Sequence, residues 1–513
     1  MVEHVTDRME PTLVSRAQVL PRVTHLGTGR GKGTTPAPNP TTPAPNPAPA
    51  PTTPGLSTLG LLTVLLGAAL PMVDFFIVNV ALPTIDHDLH AGSAVLEMVV
   101  SGYGVAYAVL LVLGGRLGDM FGRRNLFLWG LALFALTSLA CGVAPDAWTL
   151  VGARVAQGAA SALLLPQALA TIQSATSGSS RGKALSYYGA TAGIASVVGQ
   201  VLGGVLVSAD IAGSGWRSIF LVNVPVAAVA FVLALRAVPE TKSQHPARID
   251  RAGTGLLALT LVALLLPLTE GRAAGWPVWA WVLLALSPFA GAAFVAVEVR
   301  GERTGGNPLL PPSLVRIHSV RSGLLLIVPF CLGFGGFMFV LAVAMQDGLE
   351  FSALQAGAAL APLCAAFFAA SLLGPRAVAR WGRLTVTGGS LIQAAGLLVL
   401  AGTFFWGWPH LGVWALAPGM AVAGFGQGFV LPVVLRIVLS EVPAAQAGVG
   451  SGAMATTQQS ALALGVATLG TLFLSLSTSS VGIQDALVWT LLAQLVAVAA
   501  TVALSLRLPR KVV

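Results

Sequence analysis

From residue 56 to near the C-terminus, runs of about 20 apolar residues follow one another, separated by short polar breaks. A run of that length crosses the ~30 Å hydrocarbon core of a bilayer as a helix. Inside lipid only helices and closed barrels satisfy every backbone N–H and C=O group. A barrel would show alternating segments of roughly ten residues, and none occurs. The chain therefore reads as an all-α polytopic membrane protein. Charged residues make up 9% of the sequence, against about 25% in soluble domains.

Fourteen spans are predicted, at about 59–82, 94–114, 125–144, 148–172, 183–207, 217–235, 253–270, 277–297, 322–345, 353–374, 384–404, 413–437, 447–475 and 483–506. Of the 28 Lys and Arg residues, all but Arg154, Arg217 and Arg272 fall on one side if both termini are cytoplasmic. That bias orients the chain and accounts for the net charge of +9 without nucleic-acid binding. Trp148, Trp276, Trp279, Trp406, Trp408 and Trp414 cluster near the outer span ends, as an interfacial belt would.

Residues 1–55 differ in kind. The tract "GTTPAPNPTTPAPNPAPAPTTPG" cannot pack a core and reads as extended, disordered coil. It has no apolar h-region followed by a cleavage site, so no secretory signal is read there. Cys141, Cys331 and Cys364 are far apart in apolar runs, and every histidine falls in the tail or in a loop. Neither a disulfide framework nor a metal site is indicated.

An internal echo divides the rest. "GGRLGDMFGRRN" (114–125) after span 2 matches "GPRAVARWGRLT" (374–385) after span 10, and "RVAQGAASALLLP" in span 4 matches "GFGQGFVLP" in span 12. Repetition in the same order and orientation predicts two parallel six-helix bundles, 56–236 and 320–508, with an inserted helix pair at 250–298. Such halves are a transporter architecture with the substrate site between them near the midplane.

"GGRLGDMFGRR" closely resembles the cytoplasmic-loop signature of the major facilitator superfamily. "DFFIVNVALPTI" in span 1, "ARVAQGAASAL" in span 4, "WRSIFLVNVPVA" into span 6 and "TEGRAAGWPVWAW" across spans 7 and 8 resemble its fourteen-helix drug:proton antiporters. The resemblance covers about residues 56–508. It implies a gating latch formed by Gly115, Arg116, Gly118, Asp119, Gly122, Arg123 and Arg124. It also implies export of amphipathic drugs or antibiotics in exchange for protons. The family's span 5 motif has Gly-Pro where Gly199-Gln200 stands. The remaining glycines, Gly193, Gly203 and Gly204 among them, still predict close packing or a hinge.

One residue stands out inside the apolar runs. A carboxylate near the middle of a span costs roughly 2.5–3.5 kcal/mol on insertion scales, yet span 1 keeps Asp74. Counting at 1.5 Å per residue puts Asp74 about 12 Å below the outer end of span 1, and Arg154 about 10 Å into span 4. The two are therefore expected to pair, either as a static salt bridge that fixes helix packing or, as the preferred reading, with Asp74 as the switchable proton carrier and Arg154 as its partner. Gln157, Gly158 and Ser161 extend from Arg154 along one helical face, which is expected to look into the substrate cavity. Tyr103, Tyr107, Gln427, Gln458 and Gln459 are further cavity candidates, with hydrogen bonding between helices as the equal alternative. Glu270, Glu298, Asp347 and Asp485 fall at span ends and are expected to be solvated.

No nucleotide-binding loop is present. The reading is a monomeric secondary transporter in the lipid bilayer of the cytoplasmic membrane, with a small hydrophobic or amphipathic substrate. Protons are the coupling ion, and there is no other cofactor and no metal. Proton-coupled uptake or metabolite exchange stands as the alternative, and a membrane receptor or enzyme as the remote one.

Overall fold

The computed structural model describes residues 55–241, 250–271, 274–443, 446–477, 479 and 481–508. The tail expected to be disordered lies, apart from Gly55, outside the described residues. Among the described residues fourteen helices are long and apolar enough to cross a membrane. They are α1 (Thr58–Leu82), α2 (Met98–Phe121), α3 (Arg123–Gly142), α4 (Ala147–Ala175), α5 (Gly178–Ala209), α6 (Gly215–Ala237) and α7 (Arg251–Glu270). After these come α8 (Val278–Arg303), α9 (His318–Gly348), α10 (Leu354–Trp381), α11 (Leu384–Gly407), α12 (Val413–Ser440), α13 (Ala447–Ser477) and α14 (Gly482–Ser505). Among the described residues there is no β-strand.

Local chemistry sets where these helices start and stop. Ser57, Asp146 and Asp250 accept hydrogen bonds from the first-turn N–H groups of Gly60 (3.0 Å), Thr149 (2.9 Å) and Gly253 (2.9 Å). Ser352 and Gln355 form a capping box at the start of α10. Gly122 alone separates α2 from α3, and its φ of 97° is a turn that a Cβ would strain.

Helices α1–α6 pack on one another, as do α9–α14, while α7 and α8 pair and α7 rests against α2 and α13. The two sets meet chiefly through α2 with α13 and α5 with α10. Backbone proximity makes the first contact possible. A Cβ on Gly115 would run into the Gly448 carbonyl, and one on Gly448 into the Gly115 carbonyl. Gly193 likewise lies against the Phe367 ring on α10. Gly199 and Gly203, one turn apart, admit α1 instead: Val73 O and Ile77 O would sit 2.7 and 2.9 Å from their added Cβ atoms. Gly204 faces Leu354, and Gln200 is half-buried on the same helix.

Two expectations about carboxylates need correcting. Glu270 and Glu298 are buried, not solvated. Glu270 accepts a hydrogen bond from the Ser101 hydroxyl of α2, and Glu298 accepts from the backbone N–H of Leu309 (3.3 Å) and Leu310 (2.8 Å). Span ends are wet only where no neighbouring element covers them. Here α2 covers the first carboxylate and the 304–310 turn the second. Asp347 and Asp485 are exposed. Beyond the C-terminal end of α1, Asp88 accepts from Arg217 Nη1 (2.6 Å) and Trp216 Nε1 (2.9 Å), which hold its carboxyl below the ordinary carboxylate range. This contact ties the start of α6 to the chain following α1.

Candidate functional site

Asp74 and Arg154 meet. Arg154 Nη1 lies 2.5 Å from Asp74 Oδ2, with both side chains fully buried. The other carboxylate oxygen, Oδ1, accepts from Gln157 Nε2 (2.9 Å) on α4 and from Asn223 Nδ2 (2.7 Å) on α6. One carboxylate thus joins α1, α4 and α6. Ser138 of α3 closes the ring by accepting from Gln157 Nε2 at 2.7 Å, and the Cys141 thiol reaches Gln157 Oε1 at 3.5 Å.

The guanidinium is held from several sides. Its Nε donates to the Val99 carbonyl of α2 (3.0 Å), and Nη1 also donates to Gln157 Oε1 (2.7 Å). Arg154 lies over the Tyr103 ring, 4.2 Å from its centroid, a cation–π contact strengthened by the burial of both groups. Nη2 has no hydrogen-bond partner among the described residues. Tyr103 is itself fixed: its hydroxyl donates to Pro71 O (2.9 Å) and lies 2.9 Å from Ser161 Oγ. Tyr107, one turn on, stacks obliquely on Tyr103 at 5.9 Å, and both rings are buried.

This geometry revises one expectation. Gln157 does not line a cavity between the halves; it points into the N-terminal bundle, toward Asp74 of α1 and Ser138 of α3. Gly158, on the same stripe, lets α4 press against the Tyr103 backbone, which would clash with a Cβ there. The polar face of α4 is therefore a helix-packing face. Of the other cavity candidates, Gln427 is fully buried on α12, with neither amide atom partnered among the described residues. Gln458 and Gln459 are half-buried on α13, beyond Thr456, whose hydroxyl donates to Ala108 O of α2.

A second constellation joins the halves at the α2–α3 turn. Asp119 pairs with Arg123 at 2.8 Å and accepts from the backbone N–H groups of Gly448 (3.2 Å) and Val449 (3.3 Å). Those two groups open α13, so a carboxylate sits on the positive end of a helix dipole. Arg116 donates to Pro308 O (2.9 Å), and Arg124 to the Leu235 carbonyl. Gly118 leaves room for Gln167, which donates from Nε2 to Gly114 O (2.8 Å). Asp119 and Arg116 thus hold α2 against α13 and the turn after α8, while Arg124 ties α3 to α6 and Gln167 ties α4 to α2.

Residues 64–466 match the family model described as Major Facilitator Superfamily. The chain belongs to the major facilitator superfamily. As a facilitator it is similar to a probable actinorhodin transporter of Streptomyces coelicolor, 36% identical over 83% of this chain and 74% of that protein. It is also similar to a puromycin resistance protein of Streptomyces alboniger, 34% identical over 80% of this chain and 81% of the other. A tetracenomycin C resistance and export protein of Streptomyces glaucescens is 30% identical over 81% of this chain and 76% of its own. In fold it resembles the human organic anion transporter MFSD10 (TM-score 0.60, 17% identity, 86% of this chain and 98% of that one).

Sequence reasoning missed three members of this facilitator's buried network: Asn223, Ser138 and the Val99 carbonyl. Asn223 lies within "WRSIFLVNVPVA", so the motif contained it, but nothing in the spacing aimed it at Asp74. Ser138 is a lone small hydroxyl in an apolar helix, and a backbone carbonyl leaves no trace in sequence.

Proposed function

We propose that this facilitator exports amphipathic organic compounds, antibiotics among them, across the cytoplasmic membrane in exchange for protons, with both termini cytoplasmic. The buried Asp74–Arg154 network carries the reading. The family membership and the names of the relatives supply the substrate class, and the loop-charge bias supplies the orientation.

Removing one member of a buried ion pair leaves an uncompensated charge that costs about 3–5 kcal/mol. Protonation of Asp74 does this to Arg154 without any mutation. It also takes the negative charge off the oxygen that accepts from Gln157 and Asn223, weakening both bonds and so loosening α1 from α4 and α6. The carboxylate and the drug need not touch. Tyr103 links the two events, because its ring lies on Arg154 while α2 contacts both α4 and α13. A proton taken up at Asp74 is thus felt at the seam between the halves, where Asp119 releases or holds the start of α13. Protons are the only coupling ion in this scheme, and the transporter acts as a monomer in lipid. With Asp74 enclosed, the substrates are neutral, monovalent or anionic hydrophobic compounds rather than dications.

The test has two arms. In an efflux-deficient host the chain is expected to raise resistance to part of an antibiotic panel. In everted vesicles, Asp74→Asn is expected to abolish proton-driven efflux. Efflux that stays normal and pH-dependent in the variant would exclude Asp74 as the proton carrier.

A further inference from the structure

At the same end as the α2–α3 turn, the halves enclose a cleft of about 150 Å³ between α4, α5 and α12. Its lining includes Arg181 from the first turn of α5 and Arg436 from the last turns of α12. Two guanidiniums from opposite halves thus share a small space, and neither forms an ion pair among the described residues. Among the described residues Arg181 uses only its Nε in a hydrogen bond, donating to Thr176 O at 3.0 Å. Arg436 lies against α5, where a Cβ on Gly182 would come 3.4 Å from Nη1. The nearest acid along the chain, Glu441, is reached instead by the Ser319 backbone N–H.

Two further features point the same way. The cleft borders the start of α5 at Gly178, where Ser177 supplies no side-chain cap, so first-turn N–H groups remain to meet an anion. Gln173, 3% exposed, lines the cleft. Its Nε2 donates across the seam to Leu439 O (2.5 Å), and its Oε1 has no partner among the described residues. That oxygen suits a hydroxyl donor beside an anionic centre. Two guanidinium forks, backbone N–H groups and one acceptor match a phosphate carrying or adjoining a hydroxyl.

We infer that this cleft binds a phosphate group, supplied by an acidic phospholipid head group or by soluble phosphate, and that the anion holds the two halves together at this end. Without it, neither Arg181 nor Arg436 has an acidic partner among the described residues. With it, each charge has a shared partner. A ligand that bridges both halves binds only while they are closed here, so it shifts the conformational equilibrium toward that state.

The full chain is tested without any transport assay, so failure of the export reading leaves this result intact. Its unfolding midpoint is measured in detergent with sodium phosphate against sodium chloride at matched ionic strength. It is also measured in phosphatidylcholine nanodiscs with and without phosphatidylglycerol. At least one anion is expected to raise the midpoint saturably. A response to phosphate means that the bare group suffices, and a response to phosphatidylglycerol alone identifies the lipid. Arg436→Gln should raise the midpoint of the unliganded protein by removing a half-buried charge that has no acidic partner, while weakening the anion response about tenfold or more. Arg181→Lys, which keeps the charge but loses the fork, should weaken it less. No shift with either anion, or an undiminished shift in Arg436→Gln, would overturn the inference.

Discussion

Helices α4 and α12 carry the two copies of one sequence motif, and they use it differently. In α4, Arg154 and Gln157 bind Asp74, and Gly158 lets the helix close on the Tyr103 backbone of α2. In α12 the aligned Gly428 closes in the same way on the Phe367 backbone of α10. Gly424, however, stands where α4 has Arg154, and the aligned Gln427 is buried without a partner among the described residues. The loops repeat the contrast. Gly122 and Gly382 both turn at positive φ. Arg123 pairs with Asp119, while Arg383 donates to the Leu506 (2.7 Å) and Leu508 (2.9 Å) carbonyls at the end of α14, and Ala379 stands in the place of the acid. Packing is duplicated between the halves, whereas buried ion pairs occur, among the described residues, in one half alone.

The largest effect that tests this asymmetry is expected from Arg154→Met, which strands the Asp74 carboxylate. It should cost about 3–5 kcal/mol of stability, read as a lower unfolding midpoint of the purified protein. A loss below about 1 kcal/mol would mean that the pair is not the keystone of its half. The aligned glycines come next. Gly114→Ala drives a methyl into the Ala162 carbonyl and should cost about 1–3 kcal/mol, whereas Gly374 has open space around it. Gly374→Ala should be neutral or gain up to about 1 kcal/mol from helix propensity. Equal losses at both sites would show that the loops are equivalent after all. The smallest effect is expected at Gln427. Because neither amide atom is paired, Gln427→Leu should leave the midpoint unchanged or raise it by about 1 kcal/mol. A marked fall would reveal a partner for Gln427 and narrow the contrast with Gln157.

Much of this was legible in the sequence. Apolar run lengths marked the fourteen helices, and counting residues from the span ends placed Asp74 and Arg154 at one depth. The direction of the α4 face was not legible. A spacing of three or four residues says that Arg154, Gln157 and Ser161 share a side, but not which neighbour that side meets. Glu270 and Glu298 were misread for a related reason, since exposure at a span end depends on what the next helix or turn covers. Arg181 and Arg436, in different halves, gave no sign of sharing a cleft.

The sequence by itself determined what each segment must do in lipid: how many helices cross, which loops carry the positive charge, and that a buried carboxylate requires a partner. Only the tertiary structure decided how each helix is rotated about its axis. In a soluble protein an apolar stripe declares the inward face. Here lipid and protein interior are equally apolar, so no stripe distinguishes them. Rotation is fixed instead by close contacts such as Gly158 on Tyr103, Gly115 on Gly448 and Gly199 on Val73, and those contacts depend on which helix lies alongside.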